Sequence, residues 1–311
     1  MGKKMRNMLV LAGVQTAQGT PLALTAGANA VLCRSAGPSV INAEFVKRPL
    51  IRGAMGNYGS DPNGIYRSLE LEVELAGSGT AGTKPGQAAL LVGCRMTETL
   101  TAGTKVDYQP ATTGEKYLTM ECYLDGVKFK MTDAIGTVSF EMSPGGYPIA
   151  KYKFIGVYEM LTDTPNPTGA VFTTQLKPLL VNKTNTPTFT IDALALPTSA
   201  FSLDLANDIS WRELINYAAP DQADRNPTAS VTVELGTVAA KNWGETIKAG
   251  TAMPLLITHG LTAGNIVKLS APKLMVNAEP SLSDDKGNAM LQMNLDVTPT
   301  SGNDELTITF Q

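Results

Sequence analysis

The chain has 311 residues, of which 43% are hydrophobic and 17% charged, and its net charge is -3. Its length allows about two domains, and its apolar content can bury two modest cores beneath a weakly charged surface. Up to Asp163 there are 16 basic and 14 acidic residues, and beyond it 9 and 14, so the halves carry +2 and -5. Neither half is basic enough to grip nucleic acid through counterion release, so a protein of this composition that meets DNA does not hold it.

The basic start, Met1 to Arg6, leads into Met8–Val14, a run too short to span a membrane and alternating in the manner of a strand. Arg6 also breaks the myristoylation pattern. Cys33, Cys94 and Cys122 form no CxxC pair and read as free thiols of a reducing compartment. Together these features predict a protein made soluble in the cytoplasm.

Along the chain, Met55–Gly64 reads as a long irregular loop. Leu69–Leu75 then alternates strictly, with Glu70, Glu72 and Glu74 on the face away from the core. Pro85–Cys94 predicts a short helix with its proline near the first turn. In the next segment Leu118, Met120, Cys122 and Leu124 share a face, Asp125-Gly126 supplies a type I′ turn, and Val127, Phe129 and Met131 return. That turn sets Leu124 opposite Val127 and Cys122 opposite Phe129, and turns Lys128 and Lys130 away from the core. Further strands are expected at 138–142 and 150–154, and a breaker-rich join at Thr162–Gly169. The second half repeats this style. Asn216–Asn226 reads as a second long loop, and Asn242–Lys248 as a short helix. Strands are expected at Ser230–Leu235, Ile266–Leu269, Lys273–Val276, Ala289–Leu295 and Glu305–Phe310.

An internal echo organises these elements. Leu100–Val106 (LTAGTKV) returns as Leu261–Val267 (LTAGNIV), Val73-Glu74-Leu75 as Val233-Glu234-Leu235, and Asn57-Tyr58 as Asn216-Tyr217, at offsets of 161, 160 and 159. Three matches in one order predict a unit written twice, over 1–165 and 166–311. The expected fold class is mainly β, two tandem β-sandwich or barrel units, each with a short flanking helix. The two long loops precede the repeated Glu-Leu strand in both copies and become candidate contact arms, through Asn57, Tyr58, Asp61, Asn216, Tyr217, Asp221 and Asp224.

Little in the chain points to catalysis. Gly77-Ser78-Gly79-Thr80-Ala81-Gly82 is literally GxGxxG, but no βαβ alternation follows and the second copy lacks the glycines, so it reads as a strand-to-helix loop. His259 is the only histidine, which precludes a triad or an imidazole metal cluster. Asp284-Asp285-Lys286-Gly287-Asn288 reads as a hairpin turn rather than a cation site. Carboxylates two apart on a strand, as in Glu70, Glu72 and Glu74, describe a solvated face and not a catalytic pair across a cleft. Trp211 and Trp243 read as core or interface anchors. No catalytic, cofactor or metal residue is expected.

Several stretches carry a family resemblance. Leu71–Thr83 (LEVELAGSGTAGT) resembles the signature of tail tube (major tail) proteins of long, non-contractile-tailed bacteriophages, and Glu98–Gly103, Cys122–Val127, Gly136–Phe140 and Phe154–Tyr158 extend the likeness. Thr258-His259-Gly260 and Asp304–Thr309 fit it too. The resemblance implies a β-sandwich flanked by a helix, related to the tube protein of type VI secretion. It also implies rings whose inner sheets join into one barrel and stack into a virion tail. The implied partners are further copies of the chain, the tape-measure protein, the tail terminator and distal tail proteins, with double-stranded DNA passing unbound. Six-fold rings and a duplicated chain together predict a homotrimer of pseudo-six-fold symmetry, a hexamer being the alternative. Glu70, Glu72, Glu74, Lys128 and Lys130 are candidates for the lumen or solvent face, and the two long loops, through the seven residues named above, are candidates for contact between stacked rings. A terminator or distal tail ring of the same fold is the other reading of function.

Overall fold

The computed structural model describes residues 2–311. The first half contains β1 (Met8–Val14), α1 (Ala26–Asn29), β2 (Ala30–Val31), β3 (Ser35–Pro38), β4 (Asn42–Lys47) and β5 (Ser60–Glu74). There follow α2 (Ala88–Gly93), β6 (Met96–Thr101), β7 (Lys105–Pro110), β8 (Leu118–Leu124), β9 (Val127–Met142), β10 (Ile149–Tyr158) and β11 (Thr162–Asp163). The second half opens with β12 (Thr188–Ile191), β13 (Leu194–Ala195), β14 (Thr198–Asp204), β15 (Asn207–Leu214), β16 (Tyr217–Arg225) and β17 (Thr228–Glu234). It ends with α3 (Trp243–Lys248), β18 (Met253–His259), β19 (Val267–Val276), β20 (Ser281–Asp285), β21 (Asn288–Thr298) and β22 (Thr307–Phe310). The protein is mainly β, with few and short helices.

Local chemistry accounts for the elements that were expected. Asp125 and Gly126 take φ of 45° and 88°, as a type I′ turn requires, and the ladder pairs Leu124 with Val127 and Cys122 with Phe129. Lys286 and Gly287 repeat that geometry between β20 and β21, so the acidic pair before them does form a hairpin. Both short helices appear, and the Asn242 side chain caps α3 by accepting from the Glu245 N–H.

The strands pair in two long antiparallel paths. One runs β3-β5-β10-β9-β14-β17-β21-β20 and crosses both halves. The other runs β6-β7-β22-β19-β18-β12. The crossing in the first path depends on β9. Its early residues pair with β8, a bulge follows where Asp133 takes φ 50°, and beyond it the same edge pairs with β14. The bulge is fastened by Gln15, whose Oε1 accepts from the Asp133 N–H, and by Gly19, whose N–H reaches the Asp133 carboxylate at 2.8 Å.

Three expectations are corrected. Residues 127–131 and 138–142 are one strand, as are 267–269 and 273–276, because bulged or bent strands break the alternation without ending the ladder. The core does not divide in two: buried residues from Val10 to Phe310 form one cluster through both halves. Each large apolar side chain buried there contributes on the order of 1.5–3 kcal/mol. Finally, the two irregular loops are β-hairpin arms. In the first, β4 pairs with residues 60–66 of β5, and in the second β15 pairs with β16 along its length. Apart from Asn207, Ala219 and Pro220 their residues are exposed or half-buried, so burial imposes little apolar alternation on their sequences.

Candidate assembly interface

The two arms differ in what they touch. The second, β15–β16, lies against the first half. Asn207 at its base is buried and donates from Nδ2 to the carbonyls of Cys94 and Gly136, at 2.9 Å each, while its Oδ1 accepts from Gln222. Trp211 stacks on Tyr66, ring centroids 5.7 Å apart, which fits its reading as an interface anchor. The pairing of β14 with β9 continues this contact, placing Leu203 opposite Phe140 with both fully buried. Of the first arm, only the base is covered in this way among the described residues, where Trp211 lies over Tyr66 and Gly64. Val40, Ile41, Phe45, Val46, Leu50, Ile51 and Met55 on or beside it are all exposed, Phe45 to 62%.

The residues proposed for contact fall on these arms. Asn57 and Tyr58 sit in the connection at the tip of the first, and Asn216 in the two-residue turn of the second. Asp61, Tyr217, Asp221 and Asp224 lie in ladder strands rather than loops. Arg52 covers the Tyr58 ring at 4.6 Å and Arg212 the Tyr217 ring at 5.8 Å, so the echoed tyrosine meets a guanidinium in both arms.

The face of the first sheet path turned away from the core is polar. Glu70, Glu72 and Glu74 stand on it opposite Lys153, Lys151 and Ile149, and the ladder carries the same face through Glu141, Asp204, Glu234 and Asp296. Lys128 and Lys130 do not join the glutamate row. They precede the bulge, where half-buried Lys128 lies 3.8 Å from the buried Glu121 and Lys130 4.0 Å from Glu159.

The glycine motif acts at the contact between halves. A Cβ on Gly77 would lie 2.1 Å from the Gly264 carbonyl oxygen, and one on Gly264 2.4 Å from the Gly79 carbonyl carbon. The Gly79 N–H donates to that Gly264 oxygen at 2.9 Å. The glycines therefore permit backbone to meet backbone, and the echoed Ala-Gly turn of the second half is what they meet. His259 is also structural: Nε2–H donates to the Leu179 carbonyl at 3.1 Å, Nδ1 accepts from Thr186 at 2.9 Å, and burial holds its pKa below the ordinary value. Burial pushes the thiols of Cys33 and Cys122 up to about 12 and that of Cys94 well above its usual value, which suppresses thiolate chemistry. No group of metal-ligating side chains occurs among the described residues, and none of their helices is long and apolar enough to cross a membrane.

A family model described as phage tail tube protein matches residues 5–311. The chain belongs to the phage tail tube family. No match was found among curated proteins. The tube protein is thus a structural component of a virion tail that assembles with itself into tubes. A cavity of about 1280 Å³ beside α2 is lined by Lys84, which pairs with Glu98, by the buried Arg95, whose Nη1 lies 3.6 Å from Glu115 without a hydrogen bond, and by Lys116. Sequence reasoning missed Asn207 and the first arm's exposed apolar side chains. Asn42 and Asn207 stand at the same place in the two arms, an identity that an offset of 165 would have exposed.

Proposed function

We propose that the tube protein is two copies of one unit, and that three chains close a ring of six units whose rings stack into a hollow tube. The observation that carries this reading is the eight-strand sheet path. It crosses both halves in one chain and ends in two edges, β3 and β20, that have no partner strand among the described residues. An open sheet of this length exposes backbone donors and acceptors at both ends, and ring closure removes them. The polar face carries eight carboxylates (Glu70, Glu72, Glu74, Glu141, Asp204, Glu234, Asp285 and Asp296) against Lys151 and Lys153. Turned to the lumen, that excess repels phosphates, so double-stranded DNA slides past without binding and the tape-measure protein is housed before it. The role is mechanical, with no turnover of substrate.

Negative-stain microscopy with native mass spectrometry tests this. The expected result is rings or tubes whose smallest closed species has the mass of three chains. Closed species of six chains would overturn the trimer and keep the tube. A ring that never stacks would favour a terminator or distal tail ring. A compact species that forms no ring when seeded with tail tips would overturn the reading.

A further inference from the structure

The junction inside the chain supplies a template for the junction between chains. Aligning β5 with β17 on the repeated Val-Glu-Leu makes Leu71 correspond to Val231. Ala36 pairs with Leu71 and Phe201 with Val231, so Ala36 corresponds to Phe201 and Pro38 to Leu203. On the other side, Ile149 pairs with Glu74 as Met290 pairs with Glu234, and Glu141 pairs with Ile149 as Ser283 pairs with Met290. Glu141 therefore corresponds to Ser283 and Phe140 to Leu282. The two strands that meet inside the chain, β9 and β14, have as counterparts β20 and β3, the two whose outer edges meet no strand among the described residues. At the internal junction Phe140 is fully buried, whereas its counterpart Leu282 is 68% exposed.

On the ring reading above, we propose that β3 of one chain pairs with β20 of the next, Gly37 standing opposite the partner's Ser283 and Pro38 opposite the partner's Leu282. The first arm then lies across the second half of that partner, as the second arm lies across the first half within the chain. This accounts for the apolar side chains that the first arm leaves open and for an asparagine at position 42 where 207 bridges the internal junction.

The edge also carries a restraint. The Ser39 N–H donates to Ser68 at 2.9 Å, so the alternation of an antiparallel ladder turns the backbone groups of Ala36 and Pro38 to the open side. Pro38 has no N–H to offer there. The edge therefore makes one bond fewer than the internal junction and relies on the arm for the rest.

The test is a disulfide across the proposed register. A Cβ at Gly37 meets nothing within 4 Å, so Gly37→Cys introduces no clash, and Ser283 is exposed. The G37C/S283C protein is assembled, oxidised with copper–phenanthroline in air, and run on a non-reducing gel beside each single variant and beside G37C/S281C. Bands of two and three chains that stop at three are expected from G37C/S283C alone. A ladder that stops at six would keep the junction and overturn the three-chain ring. Rings visible by microscopy without the link, or linked equally well through S281C, would overturn the junction and leave the ring reading standing. Absence of both rings and link in samples seeded with tail tips would overturn both. Leu282→Glu serves as the second variant: its monomer is expected to melt with the wild type, while the concentration needed for assembly rises at least tenfold. Wild-type assembly by that variant would also overturn the junction.

Discussion

Removing the Glu305 carboxylate tests how the base of the second arm is fastened. Arg225 donates from Nε to Glu305 Oε1 at 2.5 Å, and its Nη2 converges on the same oxygen. The side chains are 12% and 4% exposed, and Glu305 Oε2 has no partner among the described residues. Both charges are thus desolvated, and the geometry leaves one lone-pair site unused. Glu305→Ala strands the guanidinium in the interior, a change that costs about 3–5 kcal/mol. Arg225 retains the Asn303 Oδ1 at 3.1 Å and the Ala111 carbonyl at 3.4 Å as acceptors, which places the expected loss near about 3 kcal/mol. At roughly 2 °C per kcal/mol for a chain of this size, the melting temperature falls by roughly 6 °C. Replacing both partners with apolar residues, R225M/E305L, removes the two desolvation penalties together and is expected to cost less than about 1 kcal/mol. Calorimetry on the unassembled protein completes the cycle with R225M. A loss below about 1 kcal/mol for E305A, or a double variant as unstable as the two singles summed, would refute the reasoning.

Two further outcomes follow from the packing and from the histidine. Gly77→Ala drives a methyl to 2.1 Å from the Gly264 oxygen and is expected to cost more than about 3 kcal/mol, or to prevent folding. Gly37→Ala, which meets open space, is expected within about 0.5 kcal/mol of wild type by the same chemical-denaturation assay, and equal effects would remove the interlock as the cause. Because His259 is held neutral with a pKa below its unfolded value of 6.5, the unfolded chain binds the proton first as pH falls. Its stabilisation is complete above pH 6.5 and declines below it, down to the folded pKa, by at most about 1.4 kcal/mol per pH unit. The gap in melting temperature between wild type and His259→Gln should therefore narrow between pH 7 and 5. A constant or widening gap would contradict that sign.

What was legible in the chain follows from what is local. The 118–131 hairpin was readable to the residue because Asp125-Gly126 dictates its own geometry and the alternation on either side agrees with it. The arms were not, because residues such as Asp61 and Asp224 lie in strands that bury few side chains, and apolar alternation of period two develops only where one face is buried along its length. The path across both halves rests on the bulge at Asp133, an event of tertiary structure that aspartate alone does not announce. Asn207 looks like any polar strand residue until the carbonyls of Cys94 and Gly136 arrive from elsewhere in the chain. The glutamate row of β5 was legible as a face, but its opposition to Lys151 and Lys153 required the neighbouring ladder.

The placement of β22 has a consequence for synthesis. It pairs Ile308 with Tyr108, its partner 200 positions earlier. At roughly 5–20 residues per second, the edge of β7 waits about 10–40 s on the ribosome before its neighbour is made. During that interval β6 and β7 can zip locally, but their outer edge stays open and the shared core is unfinished. A nascent chain in this state offers bare backbone to other nascent chains of the same polysome, all making the same protein. Holding that edge until the last strand arrives is work suited to a chaperone, and the demand for it ends in one step when β22 slots between β7 and β19.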